Sequence, residues 1–309
     1  MKNNLNILVY GGGAVGSYFA GMMSHNGQNV TLITRGDHLK KIKNQGLVVS
    51  SEWGEFTQNI PTCDFIPNEI FDLVILAVKT YSIKDLLPEL KNKLSYKSKI
   101  ICLQNGVYTN KFLSTNLPNH DVIDGLTYVD AVRPEAGKVN QFGEEAKIVI
   151  GKKEIDILEE EFLIHISNNI DSKEVQFEYS RDIEKSVWEK LILVAASGSI
   201  MCYANSSARE VFNNEKYFNI MKKMTNEMFL AAKSIGVKIN DQYPEIMIKG
   251  LVERADEIHS SLKEDLDNKR PLELDQILGE VLRIGSSNGV NMNNCKKVYD
   301  YLSNYVSGE

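Results

Sequence analysis

The sequence predicts an α/β fold, with an N-terminal, doubly wound parallel sheet followed by an all-α C-terminal domain. Short β-branched runs alternate with helix-like segments in the first half of the chain, and after Tyr179 only helical periodicity remains. Such alternation is typical of a parallel sheet covered by helices. The length of 309 residues favours two domains, which we place at residues 1–180 and 181–309.

In the first domain, turn residues separate runs of aliphatic and β-branched residues, as expected for short buried strands. The predicted strands are Leu5–Tyr10, Asn29–Thr34, Leu73–Val78, Lys99–Leu103 and Asp121–Leu126. The predicted helices are Val15–Asn26, Gly36–Asn44, Ser82–Leu90 and Thr109–Leu117. The sheet is expected to continue with strands at Val139–Phe142, Ala146–Ile150 and Val175–Tyr179, and with a helix at Glu154–Asn168.

The second domain is predicted to be helical because apolar residues recur there at helical spacing. Glycine, asparagine and proline clusters mark the links between its helices. The predicted helices are Arg181–Ala204, Glu215–Ile235, Tyr243–Lys263 and Pro271–Asn288.

The composition, with 43% hydrophobic and 25% charged residues, is that of a globular protein. The net charge of −6, without any block of like charges, argues against a nucleic-acid partner. Four scattered cysteines without C-x-x-C spacing predict reduced thiols, a cytoplasmic location and no metal site. The apolar stretch Ile7–Tyr10 is too short for a signal peptide, and Leu191–Ala204 is too short for a membrane span. We therefore expect no membrane partner.

A glycine-rich loop, GGGAVG over residues 11–16, joins the first predicted strand to the first predicted helix. In this context Gly11 permits a tight turn, Gly13 lets a pyrophosphate approach the backbone, and Gly16 allows close packing of helix on sheet. Ala14 and Val15 then open the helix, whose N-terminus attracts phosphate. The loop predicts a Rossmann-type dinucleotide-binding domain. A glycine turn without a ligand is the alternative.

Arg35 follows the second predicted strand, where an NAD enzyme would place an acidic residue for the ribose hydroxyls. A guanidinium there suits a 2′-phosphate, so we expect NADPH as the cofactor. A solvated arginine at a strand end is the alternative. The nearby Asp37 lies beyond the strand, where a helix N-cap role explains it more simply.

Two further strand ends point to the same crevice, because ligands of such sheets bind at the carboxyl ends of the strands. Lys79 follows the third strand and Asn105 follows the fourth. Lys79 is expected to reach substrate or cofactor, and Asn105 to hydrogen-bond the ribose or nicotinamide. By themselves, a lysine or an Asn-Gly after a strand more often belongs to a turn.

Taken together, these stretches resemble the ketopantoate reductase (2-dehydropantoate 2-reductase) family, which is NADPH-dependent and has a Rossmann domain followed by a helical domain. The order and spacing of the motifs carry the resemblance over most of the chain. Besides the glycine loop, they are TRG with Arg35, AVKTY with Lys79, LQNG with Asn105, WEKL with Lys190, HSSLKEDL with Ser261 and LELD with Glu273.

The resemblance implies that Lys190 is the general acid, that Glu273 is a substrate and catalytic contact, and that Ser261 contacts the substrate carboxylate. The residues themselves agree with two of these roles. Lys190 is the last charge before a long apolar run, where desolvation should lower its pKa toward the range of a working acid. Glu273 shares a helix face with Ile277 and Val281, which predicts an inward carboxylate. Snorkelling or capping roles are the alternatives.

The sequence departs from the family pattern at Val194 and Gly198, where the family usually carries asparagines that hold the substrate. Neither residue donates a side-chain hydrogen bond. Ser197 and Ser199 are adjacent but rotated by roughly 100° around the helix from position 198. The departure leaves the cofactor expectation intact and opens the identity of the substrate.

We expect NADPH-dependent reduction of a 2-oxo acid to a 2-hydroxy acid, and the resemblance implies 2-dehydropantoate to pantoate, a step of pantothenate biosynthesis. One alternative is a reductase of another small 2-oxo acid. Another is a regulatory protein that binds NADP(H) without turnover, against which the retention of Lys190, Ser261 and Glu273 argues. The exposed helix faces of the second domain leave a homodimer open.

Overall fold

The computed structural model describes residues 4–308, which form two compact units. The first unit takes in the chain up to Gln104 together with Thr109–Ile183, and the second takes in Asn105–Tyr108 and the chain from Glu184 onward. The short segment Asn105–Tyr108 therefore belongs to the helical unit although it directly follows a strand of the first. The predicted boundary at residue 180 did not assign this segment to the second domain.

The first unit consists of ten strands and five helices. Its strands are β1 (Asn6–Tyr10), β2 (Asn29–Ile33), β3 (Leu47–Ser51), β4 (Gly54–Gln58), β5 (Thr62–Cys63), β6 (Leu73–Leu76), β7 (Lys99–Cys102), β8 (Asp121–Val132), β9 (Lys138–Gly151) and β10 (Gln176–Tyr179). Its helices are α1 (Ala14–His25), α2 (Gly36–Gln45), α3 (Ile83–Lys93), α4 (Tyr108–Asn116) and α5 (Ile157–Ile170).

All ten strands lie in one sheet, in the order β4-β3-β9-β8-β7-β6-β1-β2-β5, with β10 on β9. The strands from β5 through β2, β1, β6 and β7 to β8 are parallel, and β1 pairs with β2 from Asn6↔Asn29 to Tyr10↔Ile33. The prediction of an α/β fold with a Rossmann-type sheet is confirmed. The sheet is mixed rather than wholly parallel, because β8–β9 and β3–β4 are antiparallel hairpins.

Three strands were absent from the prediction, and one pair of predicted strands is in fact a single strand. The unpredicted strands are β3, β4 and β5; β4 is a mostly exposed edge strand, so its sequence lacks an apolar alternation. The two runs Val139–Phe142 and Ala146–Ile150 are parts of β9, and a register shift opposite Val129 and Asp130 absorbs the residues between them. β-bulges of this kind interrupt the sequence pattern without ending a strand.

Burial on both faces explains why the central strands are continuous apolar runs. Along β1, Ile7 and Val9 pack in the same cluster as Tyr18 and Phe19 of α1. Leu8 and Tyr10 belong to a second cluster, which α3 and α4 cover. The alternation of side chains along a strand thus places α1 and α3 on opposite faces of the sheet.

The second unit is helical, as predicted. Its helices are α6 (Ile183–Ala204), α7 (Ala208–Asn213), α8 (Glu215–Ser234), α9 (Tyr243–Glu253), α10 (Ser261–Asp267), α11 (Glu280–Ser287) and α12 (Asn293–Leu302). Among residues 4–308, α6 is the one helix that passes a length-and-composition test for a membrane span, and 67% of its most apolar window is buried inside the protein. Core helices such as this one, with Trp188 and Ile192 in the main cluster, pass the same test.

Two predicted helices differ from the structure in ways that matter for the site. The predicted helix Tyr243–Lys263 is interrupted over residues 254–260, and α10 starts afresh where the Ser260 hydroxyl accepts a hydrogen bond from the Lys263 N–H. The predicted helix Pro271–Asn288 begins later, at Leu274, with a π-helical turn over Asp275–Gly279. The short helices α7 and α12 were not predicted.

Glu227 of α8 shows how the helical unit is held together. Its buried carboxylate accepts the Asn294 N–H at 3.0 Å and the Cys295 N–H at 2.8 Å. These N–H groups lie in the first turn of α12, whose N-cap residue Met292 makes no side-chain capping bond. A carboxylate from another helix therefore supplies the cap, and its charge opposes the positive end of the helix dipole.

Replacing Glu227 by alanine should leave these N–H groups buried and unpaired. A hydrogen bond to a charged group contributes about 1.5–3 kcal/mol, so we expect the Glu227→Ala variant to lose at least that much free energy of unfolding. Urea unfolding measures it, with Lys223→Ala, an exposed change on the same helix, as the control. Equal stability of the two variants would show that Glu227 is not the cap of α12.

Candidate functional site

The glycine loop is a place of close backbone approach. Gly11 has a φ of +123°, and a Cβ there would lie 2.7–2.8 Å from backbone atoms of Ala77 and Val78, just past the end of β6. A Cβ on Gly16 would lie 2.0 Å from the Gly11 carbonyl oxygen. Glycine is therefore the residue that fits at both positions, which gives the predicted motif its structural reason.

The N-terminus of α1 is open for a ligand. Gly13 is its N-cap and is exposed, and a Cβ on it would meet nothing within 4 Å. The first turn, which starts with Ala14 and Val15, has no acidic side chain and no side-chain cap. The first N–H groups of a helix have no partner inside it, and here no side chain covers them. The loop and helix therefore fit the phosphates of a dinucleotide.

Arg35 is exposed at the N-cap of α2, directly after β2. Burial and the neighbouring Glu89 raise the pKa of Tyr10 to about 12. The Arg35 guanidinium is close enough to the Tyr10 hydroxyl to act in the opposite direction. The Tyr10 hydroxyl donates to Glu89 at 2.6 Å. Arg35 thus stands at the carboxyl ends of β1 and β2. The expectation that Asp37 is the N-cap of α2 is wrong. Asp37 lies in the first turn of α2 and pairs with Lys40 at 3.2 Å.

Next to the loop is a network that the sequence analysis missed. An Arg133 Nη1 donates to the Gly12 carbonyl at 2.9 Å. His38 accepts the Gly137 N–H on Nδ1 at 2.8 Å, so its proton is on Nε2, which lies 3.0 Å from the Ser17 hydroxyl. Burial, and then the charge of Arg133, lower the pKa of His38 to about 4. The imidazole is therefore neutral near pH 7.

Arg133 and His38 were not predicted as site residues, for two different reasons. The strand predicted to end at Leu126 continues to Val132, so Arg133 was not recognised as a residue at the end of a strand. His38 has no distinguishing neighbours in sequence, because its partners are 21 and 99 residues away along the chain. Contacts at such distances leave no periodic pattern.

Lys79 and Gln104 lie at the carboxyl ends of β6 and β7. Lys79 is half-buried at the N-cap of a short 3-10 turn, Thr80–Ser82. Gln104 is buried, and its Nε2 donates to the Leu76 carbonyl at 2.9 Å and to the Val78 carbonyl at 3.0 Å. Gln104 thereby fixes the backbone between β6 and Lys79. This stretch is the one that Gly11 abuts.

In the helical unit, the loop that carries Asn105 packs against two elements that each carry a further candidate residue. Gly106, next to Asn105, has a φ of +96°, and a Cβ on it would lie 3.0 Å from the Gln276 carbonyl and 3.6 Å from Leu191. Leu191 follows Lys190 on α6, and Gln276 lies in the turn that follows Glu273. Lys190 and Glu273 are 9% and 8% exposed. A buried ammonium and a buried carboxylate thus belong to the two elements on which the Asn105 loop rests.

Glu273 occupies a different helical position from the one expected. It stands before the first helical residue, and its carbonyl accepts the Ile277 N–H at 3.1 Å. The π-helical turn that follows is a feature often found at functional sites. Its wider turn keeps Ile277 and Val281 buried, as the predicted face requires.

Around Val194 and Gly198 the structure adds a reason for the departure from the family pattern. A Cβ on Gly198 would lie 2.7 Å from the Ser260 Oγ, so Ser260 stands against the helix where a larger residue would project. Val194 is half-buried. The Ser197 hydroxyl donates to the Leu193 carbonyl at 2.7 Å, which leaves it no proton to offer a ligand. Ser261 itself is exposed.

Other features of the described residues lie apart from these groups. A cavity of about 260 Å³ in the helical unit is lined by α9 and by Leu193 of α6, and it includes none of the candidate residues. No cluster of three or more His, Cys, Asp or Glu side chains within residues 4–308 is arranged to hold a metal ion. The four cysteines are free thiols.

Comparison with known proteins agrees with this arrangement in both units. The family described as "Ketopantoate reductase PanE/ApbA" matches residues 7–154, and "Ketopantoate reductase PanE/ApbA C terminal" matches residues 182–306. The chain belongs to the ketopantoate reductase family. It is therefore an NADP-dependent oxidoreductase that acts on a ketone, its cofactor is NADPH, and its substrate is a small molecule.

Individual relatives are distant but match over nearly the full length. A 2-dehydropantoate 2-reductase of Streptococcus pyogenes serotype M3 is 24% identical over 303 residues, covering 96% of this chain and 97% of its own. One from Pyrococcus horikoshii is 26% identical over 282 residues, with 90% of each chain covered.

Solved structures show the same fold. A PanE/ApbA family ketopantoate reductase from Ralstonia eutropha JMP134 matches with a TM-score of 0.87 and 23% identity, and 97% of each chain is covered. A D-mandelate dehydrogenase in a ternary structure with NADH and anilino(oxo)acetate also matches with a TM-score of 0.87, at 20% identity and 97% coverage of each chain.

The neutral state of His38 can be tested by measuring how the free energy of unfolding changes at acidic pH. Unfolded, the imidazole takes up a proton near pH 6.5, whereas in the folded protein its pKa is about 4. The stability that it provides is therefore complete above pH 6.5 and is lost as the pH falls toward 4. We expect a loss of up to about 1.4 kcal/mol per pH unit in this window.

Urea unfolding between pH 7.5 and 4.5, as rough bounds around this window, measures the effect. The matched variant is His38→Asn, whose side-chain oxygen can accept the Gly137 N–H but cannot titrate. Its free energy of unfolding should fall less steeply on acidification than that of the unmodified protein. Parallel pH profiles would contradict a neutral, buried His38.

Proposed function

We propose that the protein reduces a 2-oxo acid to a 2-hydroxy acid with NADPH, and that 2-dehydropantoate, giving pantoate, is the first substrate to test. The observation that carries the proposal is the packing of Gly106 against Leu191 and Gln276. It supports a common site for Asn105, Lys190 and Glu273. Such a site holds an amide, an ammonium and a carboxylate, the groups needed to position a ketone and supply a proton.

The first unit carries the proposed site for the phosphates of the nucleotide. When bound, NADPH supplies a hydride to the ketone carbon. The open helix N-terminus and the glycine loop bind its phosphates, and Arg35 pairs with the 2′-phosphate. Lys79 and Asn105 position the nicotinamide end and the substrate. The proposed cofactor residues are Gly11, Gly13, Ala14, Val15, Gly16, Arg35, Lys79 and Asn105.

Lys190 is the general acid in this proposal. Its ammonium polarises the ketone oxygen and donates a proton to it as the carbon gains the hydride, which leaves a hydroxyl and a neutral lysine that recovers its proton from solvent. Lys190 is buried beside an apolar helix face, which shields this proton transfer from bulk water. Glu273 orients Lys190 or binds a substrate hydroxyl. Ser261 contacts the substrate carboxylate, and its exposure leaves it accessible to a ligand.

Two candidates are considered for the substrate. The names of the curated relatives favour 2-dehydropantoate. A second candidate is another small 2-oxo acid, because a neighbour of the same fold is a D-mandelate dehydrogenase that binds anilino(oxo)acetate. Val194 and Gly198 favour this second candidate, since neither can hydrogen-bond a substrate hydroxyl and Ser260 occupies the space beside Gly198.

The role of Lys190 is tested by its removal. Lys190→Ala should lower kcat on the order of 10²–10⁴-fold, the usual contribution of a positioned general acid, while NADPH binding is retained. Stopped-flow or steady-state NADPH oxidation measures kcat, and fluorescence titration measures binding. Lys185→Ala, one turn earlier on α6, is the matched control, because Lys185 is partly exposed and pairs with Glu189. Near-normal turnover of Lys190→Ala would remove this residue from the mechanism.

Substrate choice is tested with a panel of 2-oxo acids. We expect 2-dehydropantoate, which has a terminal hydroxyl, to be reduced no better than an unhydroxylated branched 2-oxo acid. Val194→Asn should shift the ratio of the two kcat/KM values toward 2-dehydropantoate, because a site that hydrogen-bonds a hydroxyl rejects analogues lacking it. Val194 is the better position to change, since a side chain at Gly198 would collide with Ser260.

Val194→Leu, similar in size to asparagine but without an amide, is the control for shape. An unpaired buried amide costs about 1–3 kcal/mol, so thermal stability is measured beside the kinetics. A strong preference of the unmodified protein for 2-dehydropantoate would show that the missing asparagines do not matter. Failure to oxidise NADPH with any 2-oxo acid would instead favour a binding or regulatory role.

A further inference from the structure

The loop between β8 and β9 places a second guanidinium beside the glycine loop. Arg133, the first residue after β8, donates from Nη1 to the Gly12 carbonyl at 2.9 Å. This contact uses one of the five donors of an arginine side chain. Arg133 is exposed, so the rest of its fork is accessible to a ligand.

The position of Gly12 tells which part of the loop Arg133 approaches. A Cβ on Gly12 would lie 2.3 Å from the Thr34 Oγ1 and 3.3 Å from the His38 ring. Thr34 is followed directly by Arg35, and His38 lies in the first turns of α2. Gly12 therefore faces the carboxyl end of β2, whereas Gly13 stands at the N-terminus of α1. Arg133 thus approaches the stretch of backbone that contacts Thr34 and His38, the residues on either side of segment 35–37, which begins with Arg35.

The loop that carries Arg133 is held in place by packing. The Gly137 N–H donates to His38 at 2.8 Å, and a Cβ on Gly137, which has a φ of +81°, would lie 2.9 Å from the Lys41 Cβ. Both contacts tie the end of the loop to α2. A cation on a loop fixed in this way loses little conformational entropy when a ligand binds.

Charge at this corner is unbalanced. Within residues 4–308, neither Arg35 nor Arg133 forms an ion pair with a carboxylate, and the neighbouring Asp37 pairs with Lys40. His38 is neutral and adds no charge of its own. Glu89 is near Arg35 through the Tyr10 hydroxyl but forms no ion pair with it, so both guanidinium groups are left able to bind an anionic ligand. In an enzyme that uses NADPH, that ligand is the phosphate on the adenosine ribose.

We propose that Arg133 binds the 2′-phosphate of NADPH together with Arg35, and that it is a specificity-determining residue for NADPH over NADH. This extends the cofactor assignment, which concerned Arg35 alone. A guanidinium offers a phosphate both charge and planar, paired donors. Arg133 also orients Gly12 through the carbonyl that it holds, so the two functions must be separated by experiment.

The experiment compares binding of NADPH and NADH to four forms of the protein. They are the unmodified chain, Arg133→Ala, Arg133→Gln and Arg35→Ala. Dissociation constants are measured by nucleotide fluorescence or calorimetry at one fixed ionic strength, since phosphate contacts are screened by salt. Thermal stability is recorded for each form. Lys138→Ala is the matched control, because Lys138 is a cation of the same hairpin that pairs with Glu55 at 3.3 Å instead.

We expect Arg133→Ala and Arg133→Gln to weaken NADPH binding about 10- to 100-fold, as follows from the loss of a charge-assisted hydrogen bond. NADH binding should change by less than about threefold in both variants, because NADH lacks the 2′-phosphate. Arg133→Gln keeps a donor for the Gly12 carbonyl, so its thermal stability should stay near that of the unmodified protein. Arg35→Ala should also weaken NADPH selectively.

Four results would overturn the proposal. Equal weakening of NADPH and NADH by Arg133→Gln would assign the guanidinium to the pyrophosphate or to loop bracing. Unchanged binding of both would remove Arg133 from the site. If only Arg35→Ala is selective, the cofactor assignment stands and the role of Arg133 fails. If the unmodified protein binds both nucleotides equally, the 2′-phosphate site itself is absent.

Discussion

The close approach of the glycine loop to the end of β6 is the constraint on which the nucleotide end of this protein depends. With no Cβ at Gly11, the loop can lie directly on the backbone of Ala77 and Val78. With none at Gly16, α1 can start close above it. Any larger residue would lift the helix N-terminus away from the sheet, and the phosphate site would lose its geometry. The burial of Tyr18 and Phe19 against β1 depends on the same placement.

That constraint extends to the strands on either side. Gln104, from the end of β7, holds the Leu76 and Val78 carbonyls, and Arg133, from beyond β8, holds the Gly12 carbonyl. The Val78 and Gly12 carbonyls lie past the ends of β6 and β1, whereas the Leu76 carbonyl is at the end of β6 and also accepts the Leu103 N–H. The rigid sheet thus positions the loops, and polar side chains from more distant strands complete the hydrogen bonding. Both the Lys79 turn and the glycine loop gain a fixed backbone in this way.

The sequence predicted the parts of the fold that repeat locally. The central strands and the long helices were found because burial on two faces, or on one helical stripe, imposes a pattern on neighbouring residues. The edge strand β4 and the register shift in β9 were not found, because partners far along the chain determine them. The break between α9 and α10 was also missed. There the apolar periodicity of residues 243–263 continues across the turn between the two helices. The turn ends where Ser260 caps the start of α10.

The same distinction separates the site residues that could be predicted from those that could not. The glycine loop, Arg35 and Lys79 lie at ends of predictable strands, so their place in the crevice follows from the topology. Arg133 is placed beside the glycine loop by the β8–β9 hairpin, and the same hairpin supplies the Gly137 N–H that His38 accepts. Lys190 and Glu273 were predicted from a resemblance and from their position beside apolar runs. Both are buried. The packing of the Asn105 loop on α6 and on the turn after Glu273 was not predicted, because it depends on the left-handed backbone of Gly106.

The surroundings of α6 show how one helix can keep its chemistry while its ligand changes. Lys190 stands where the apolar run begins, and the residue after it, Leu191, packs near Gly106 of the Asn105 loop. Four and eight residues later, Val194 and Gly198 are governed by other neighbours, with Ser260 against Gly198. Because 3.6 residues make a turn, these positions lie above Lys190 along the helix rather than beside it. If Lys190 is the proton donor, as proposed, substitutions at Val194 and Gly198 can change the shape of α6 next to it without moving it. A departure from the family at Val194 and Gly198 is therefore compatible with an unchanged reaction on a different 2-oxo acid.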